Sequence, residues 1–161
     1  MDLRDTPDEA AFRAELRAWL DANLPEARRG GRGGAARFDD PFGREWSRML
    51  YDAGYAGLTW PKEYGGAGAP YSFQATFYEE MARAQAPAHV GVIGLGMAGP
   101  TIIAHGTEEQ KARYLQPLLA AEEIWCQGFS EPDAGSDLAA ARSRRHWRSA
   151  STGCSTSHAS T

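Results

Sequence analysis

Residues 90–105 limit most strongly what this chain can become, because they are small or apolar all round and carry no charged side chain before His105. A helix built from such a stretch has no face suited to water and expects neighbours on every side. Helical spacing elsewhere provides those neighbours. Thr6, Pro7 and Glu9 make a capping box with proline in the first turn, and Phe12, Leu16, Trp19 and Leu20 then recur on one stripe. Leu24-Pro25 ends that helix, and residues 27–37, rich in glycine and arginine, read as a flexible loop. A second helix starts near Asp40-Pro41, turns Phe42, Trp46, Met49 and Leu50 to one side and takes Gly54 as its C-cap. A third runs from about Ser72 with Phe73, Phe77, Met81 and Ala84 inward, and stops before Pro87. The apolar stretch forms the fourth, with an expected break at Gly99-Pro100 and its close at Gly106. Thr107 to Gln110 is a second capping box, opening a helix with Tyr114, Leu115, Leu118 and Leu119, which Pro117 should kink or end. Five helices without a convincing strand among them predict a mainly α bundle.

Composition narrows the functional classes. The chain has 161 residues, of which 42% are apolar, so a packed core is attainable. A net charge of -4 with both signs mixed argues against nucleic acid as a partner. Lys62 and Lys111 are the only lysines among the 17 basic residues. That skew toward arginine fits codon bias better than a phosphate-binding face. No apolar run reaches the roughly 18 residues of a membrane span, and the polar start has no signal-peptide core. Cys126 and Cys154 make no disulfide framework, so a cytoplasmic protein is expected.

The run Gly94-Leu95-Gly96-Met97-Ala98-Gly99 fits G-x-G-x-x-G, and Val90 to Ile93 before it imitates a strand. A dinucleotide site also needs a βαβ unit and an acidic residue about 20 positions on. Here that distance reaches Gln116-Pro117-Leu118-Leu119, and a newly capped helix lies between. Glycines that let helices approach closely are therefore the preferred reading, with NAD binding as the alternative. His89 and His105 have no partners at metal-ligand spacing, and Cys154 and His158 lie in a stretch without structural signals. No metal site and no Ser/His/Asp arrangement is expected.

The pattern changes after Glu123. Ile124 to Ser130 suits a β-strand, and Pro132 to Ser136 is rich in turn formers. The run Gly128-Phe129-Ser130-Glu131-Pro132-Asp133-Ala134-Gly135-Ser136-Asp137 combines bare backbone with two hydroxyls. Glycine admits close approach of a ligand, and hydroxyls and backbone N–H groups donate without formal charge. Such a surface suits a flat polar heterocycle or an acyl thioester. An ordinary turn capped by Asp137 explains the local chemistry about as well.

Residues 128–140 resemble the first signature of the acyl-CoA dehydrogenase family, with Phe129 in place of the more usual aliphatic residue. Two further blocks stand in the family's order: Gly57-Leu58-x-Trp60-Pro61-x-Glu63-Tyr64-Gly65-Gly66 and His105-Gly106-Thr107-Glu108-Glu109-Gln110-Lys111-x-x-Tyr114-Leu115. The resemblance covers about residues 12–140. It implies an amino-terminal helical domain over 1–121, the first strand and loop of an incomplete β-barrel domain over 122–140, and an aberrant, disordered tail over 141–161. It also implies FAD as cofactor, lined by Gln127, Phe129 and Ser130, with the Ser130 hydroxyl near the reactive end of the ring. A hydrogen bond there favours electron acceptance, since reduction places negative charge on the ring. Ser136 would face the thioester of an acyl-CoA substrate. In the family a carboxylate removes the α proton while the β hydride passes to FAD. That carboxylate belongs to a carboxy-terminal helical domain, so no glutamate here inherits the role.

After Ala140 the likeness ends. Residues 141–161 hold nine Ser or Thr and no acid, without a period-two pattern. Thr156-Ser157-His158-Ala159 echoes a flavin-contacting strand, but Ser155 stands where tryptophan is expected. The expectation is a fragment inactive alone that holds FAD weakly and self-associates through unpaired surfaces. The alternative from another class is a non-catalytic helical interaction module that caps a full-length homologue or binds acyl-CoA without turnover, with a homo-oligomer or a full-length homologue as the protein partner.

Overall fold

The computed structural model describes residues 4–26, 41–128, 130, 131, 135, 136 and 139. They fall into two units, Met1–Cys126 and Gln127–Thr161. The fold is mainly helical. Helix α1 (Pro7–Asn23) starts on the expected capping box: the Glu9 N–H donates to Thr6 Oγ1 at 3.3 Å, and the Thr6 N–H donates to Glu9 Oε2 at 2.8 Å. Helix α2 spans Pro41–Asp52 and α3 spans Tyr71–Arg83. A π-helical turn, Gly94–Ala98, runs straight into α4 (Gly99–His105). Helix α5 (Glu108–Leu119) begins on the second capping box, Thr107 with Gln110, and ends two residues after Pro117. The loops expected over 27–37 and 141–161 lie outside the described residues.

Two apolar clusters hold this unit together. Leu16, Leu20, Trp46, Leu50, Tyr55, Leu58, Phe77 and Met81 form the first, which joins α1, α2 and α3. Trp19 packs on both Trp46 and Tyr55, with ring centroids 5.4 and 5.1 Å apart. An ionic staple crosses the same interface. Glu80 of α3, 1% exposed, accepts from Arg17 at 2.7 and 2.8 Å, from Arg13 at 2.9 Å and from Arg83 at 2.6 Å. Hydrogen bonds from Arg17, with Arg83 and Arg13 behind it, overcome the upward push of burial and hold the Glu80 carboxyl at about 2.

The second cluster gathers Ala56, Trp60, Leu115, Leu118 and Leu119, with Leu95, Ile102, Ile103 and Trp125 partly buried against it. Helix α2 links the clusters through the turn before the π segment. Trp46 Nε1–H donates to the Pro87 carbonyl at 2.7 Å, and buried Ser47 Oγ accepts from the Val90 N–H at 2.9 Å.

Three sequence expectations are corrected here. Residues 90–105 are not enclosed on every side: Val90, Gly91, Gly94 and Gly99 are buried, while Val92 and Met97 are 42% and 51% exposed. Nor does the helix break at Gly99-Pro100. The Gly99 N–H already donates to the Gly94 carbonyl in the wider π register. Pro100 cannot continue that register, because it has no N–H for the Leu95 carbonyl. Trp60 Nε1–H takes the vacant role, donating to that carbonyl at 3.2 Å. The helix therefore passes through its proline with the lost bond replaced. The strand expected over 124–130 forms no ladder among the described residues; Glu131 alone stands in a bridge. In the first unit, Trp125 packs edge-on against Tyr114, with centroids 5.3 Å apart. A ladder needs a paired neighbour, and among the described residues none pairs with residues 124–126.

Candidate functional site

The first unit has a cavity of about 480 Å³, open to solvent on one side, between the 55–60 segment, α3, the 86–92 turn and the π-helical turn. Each wall has a local cause. Gly57, with φ of +65°, lets the chain turn so that Trp60 faces inward between Ala56 and α5. Helix α3 turns its apolar stripe, Phe77 and Met81, to the first cluster. Its neighbouring stripe, Tyr71, Gln74 and Tyr78, borders the cavity. Tyr71 and Tyr78 are 84% and 64% exposed, too open for core residues, and they stand two helical turns apart at its edge.

No lining residue carries a formal charge. Polar groups are few: the Tyr55 phenol, Thr59, Gln74, the two edge tyrosines and His89. Burial raises the Tyr55 pKa and keeps its phenol neutral. Both His89 nitrogens are committed. The Gly91 N–H donates to Nδ1 at 2.9 Å, so Nε2 carries the proton and donates to the Leu119 carbonyl at 3.2 Å. Burial lowers the His89 pKa, against the opposing push of its bond to Leu119. This histidine is a neutral strut joining the 89–91 turn to α5. An uncharged, largely apolar cavity with a few polar groups at fixed places is built to hold an apolar moiety, and it has no free base with which to move a proton.

The sequence-predicted site residues lie in the second unit. Gln127, Ser130 and Ser136 are exposed, and Phe129 is outside the described residues. A Cβ added at Gly128 or Gly135 would meet nothing within 4 Å, so the backbone there is open to approach. The amide of Gln127 and the hydroxyl of Ser130 stand beside bare backbone and can each donate and accept hydrogen bonds. Among the described residues no group of His, Cys, Asp or Glu could hold a metal ion.

The G-x-G-x-x-G run lies on helix, with Val90 and Gly91 in a turn before it where a dinucleotide fold needs a strand. A Cβ at Gly94 would stand 2.7 Å from Leu118 Cδ2, and one at Gly99 would overlap the Trp60 ring. These two glycines are packing residues, as the sequence suggested. Motif and stripe reading missed the cavity itself. Its one legible signal was the pair Tyr71 and Tyr78, aromatic residues off the inward stripe of α3.

Comparison with known proteins defines the class. The family description "Acyl-CoA dehydrogenase, N-terminal domain" matches residues 6–122. The chain belongs to the acyl-CoA dehydrogenase family. It is 48% identical over 132 residues to acyl-CoA dehydrogenase IpdE1 of Mycolicibacterium smegmatis, covering 80% of this chain and 34% of that protein. Its structure superposes on a Tcur3481-Tcur3483 steroid ACAD with a TM-score of 0.74 at 40% identity, over 89% of this chain and 37% of that one. The ChsE4-ChsE5 complex from Mycobacterium tuberculosis gives a TM-score of 0.71 at 35% identity, over 89% of this chain and 35% of that one. The chain spans about a third of the length of these relatives. Members of the family are FAD-dependent oxidoreductases. No helix among the described residues is long and apolar enough to cross a membrane.

Proposed function

We propose that the chain binds an acyl-CoA thioester for FAD-dependent α,β-dehydrogenation, and that its cavity takes part of the acyl group. The observation that carries this reading is an uncharged cavity of about 480 Å³ inside a domain of this family. FAD, when bound, supplies the acceptor for the β hydride. Gln127, Phe129 and Ser130 would hold the ring, and Ser136 would face the thioester. The exposure of Gln127 and Ser130 beside open Gly128 supports that assignment. The domain division at about 121 and 140 belongs to the same proposal, as does a cytoplasmic place of action, where CoA thioesters are handled.

The 161 residues by themselves carry out no dehydrogenation at an enzymatic rate. No carboxylate lines the cavity, and His89 is fully engaged. General-base catalysis alone contributes about 10²–10⁴-fold. Calorimetric titration with hexanoyl-CoA and with free CoA tests the reading. Heat of binding from the thioester and none from free CoA is expected; equal response to both, or to neither, contradicts it. FAD should be held weakly by this chain alone, and isolation with stoichiometric flavin would count against that part.

A second reading rests on the neighbours themselves, one of them described as a complex of two named chains. In it the chain partners a full-length homologue or a second copy, covering exposed Tyr71, Tyr78 and Met97. Sedimentation of the purified chain, alone and with a homologue, separates an isolated monomer from either assembly.

A further inference from the structure

The chain leaves helix α5 through a turn that its own side chain does not favour. Ala121 has φ of +56°, in the left-handed region where a Cβ is poorly accommodated. Its neighbours hold it there. The Glu122 and Glu123 N–H groups both donate to the Pro117 carbonyl, at 3.0 and 3.1 Å. Each carboxylate then pairs with a different helix: Glu122 with Arg48 of α2 at 3.1 Å, and Glu123 with Arg113 of α5 at 2.6 Å. Trp125 ties the far end of the turn. Its ring stands edge-on to Tyr114, its indole N–H reaches Glu123 Oε2 at 3.5 Å, and the Arg113 guanidinium lies 5.0 Å from the centre of the Tyr114 ring. Arg113, Glu123, Trp125 and Tyr114 thus form a closed circuit of contacts between α5 and the chain that follows it. Solvent-exposed ion pairs of this kind add little to stability. What the circuit restricts is the path of residues 121–125.

We infer that Trp125 is a positioning residue for flavin binding: held by Tyr114, Glu123 and Arg113, it fixes the chain two residues before Gln127, so that less of the flavin segment has to be ordered when FAD binds. The inference rests on the reading that Gln127, Phe129 and Ser130 hold the ring. Ordering a residue on binding removes conformational freedom and weakens affinity. A segment already tied at one end has less of that freedom to lose. The effect of Trp125 runs through the backbone, not through contact with the cofactor.

Equilibrium dialysis of FAD against the full 161-residue chain tests it, with hydrogen exchange of the Glu122 and Glu123 amides as a second readout. Trp125→Ala should weaken FAD binding by about tenfold, the equivalent of freeing one residue's backbone, and should speed exchange of both amides. Trp125→Phe keeps an aromatic ring against Tyr114 and should recover most of the affinity. Glu123→Gln removes only the ion pair and should weaken binding about twofold, which keeps the series readable if Trp125→Ala does not fold. Leu16→Ala, in the first cluster, is the control: its melting temperature falls while the FAD affinity of the folded chain stays unchanged. Affinity unchanged in Trp125→Ala, or lost equally in Leu16→Ala, overturns the inference, even though flavin binding itself then stands. If the unsubstituted chain takes up no FAD at millimolar concentration, the flavin-site reading fails and the inference falls with it.

Discussion

The cluster joining α1, α2 and α3 and the cluster around Trp60 are both apolar, yet they are closed by different means. The first is filled by large side chains on regular helical stripes, with rings in contact and four hydrogen bonds from three arginines converging on Glu80. The second is closed by absence of side chain: Gly94 makes room for Leu118, and Gly99 for the Trp60 ring. Its polar links are single bonds, Trp60 to the Leu95 carbonyl and His89 to the Leu119 carbonyl. A cluster filled by large residues fails when one is removed. A cluster fitted around bare backbone fails when one atom is added. The cavity borders the second kind of packing, where a helix wall can bulge without losing its contacts.

The largest expected effect tests the first cluster. Trp46→Ala empties a fully buried site and removes the bond to the Pro87 carbonyl, so stability should fall by about 3–5 kcal/mol, measured by denaturant melts. A loss below about 1 kcal/mol would mean that the aromatic packing is not what holds α1 to α2. Next comes the smallest possible addition in the second cluster. Gly99→Ala should cost about 1–3 kcal/mol despite the better helix propensity of alanine, because the enclosed Trp60 ring cannot withdraw. Neutral behaviour would show that the Trp60 contact is soft and the contrast between the clusters false.

Acid separates the two regions by pH. Both groups have folded-state pKa values below their ordinary ones, so each contributes stability above its ordinary value and loses it as the pH falls. For His89 the loss begins on descent through about 6.5, the ordinary histidine value, because the unfolded chain takes up the proton first. For Glu80 it begins near 4.5 and runs toward 2. The two windows should appear in sequence in melts across pH. Glu80→Gln should shrink the lower window, to which Asp5 and Glu9 also contribute, and leave the upper one. A single transition unaffected by that substitution would break the assignment.

The smallest effect has the opposite sign. Gly96→Ala should stabilise the chain by about 0.4–1 kcal/mol, since its Cβ enters open space and the unfolded chain loses freedom. If Gly96→Ala and Gly99→Ala behave alike, the distinction between a packing glycine and an open one is wrong.

What the sequence determined by itself is local and repetitive. Capping boxes at Thr6 and Thr107, the stripe of Leu16 and Leu20, and the stop before Pro87 are read from neighbours within one or two helical turns, and the structure bears them out. The family motifs were legible for the same reason, as fixed residues at fixed spacing. Tertiary structure alone decided the rest. Uniform apolarity of residues 90–105 could not tell a face buried on Trp60 and Leu118 from one turned to a cavity, because Leu95, Gly96 and Met97 are equally apolar in both settings. Pro100 reads as a breaker until a distant indole supplies the hydrogen bond that its ring removes. Helix caps depend on residues close along the chain. Cavities and replaced hydrogen bonds depend on residues tens of positions apart, such as Trp60 and Leu95, and only the folded chain brings those together.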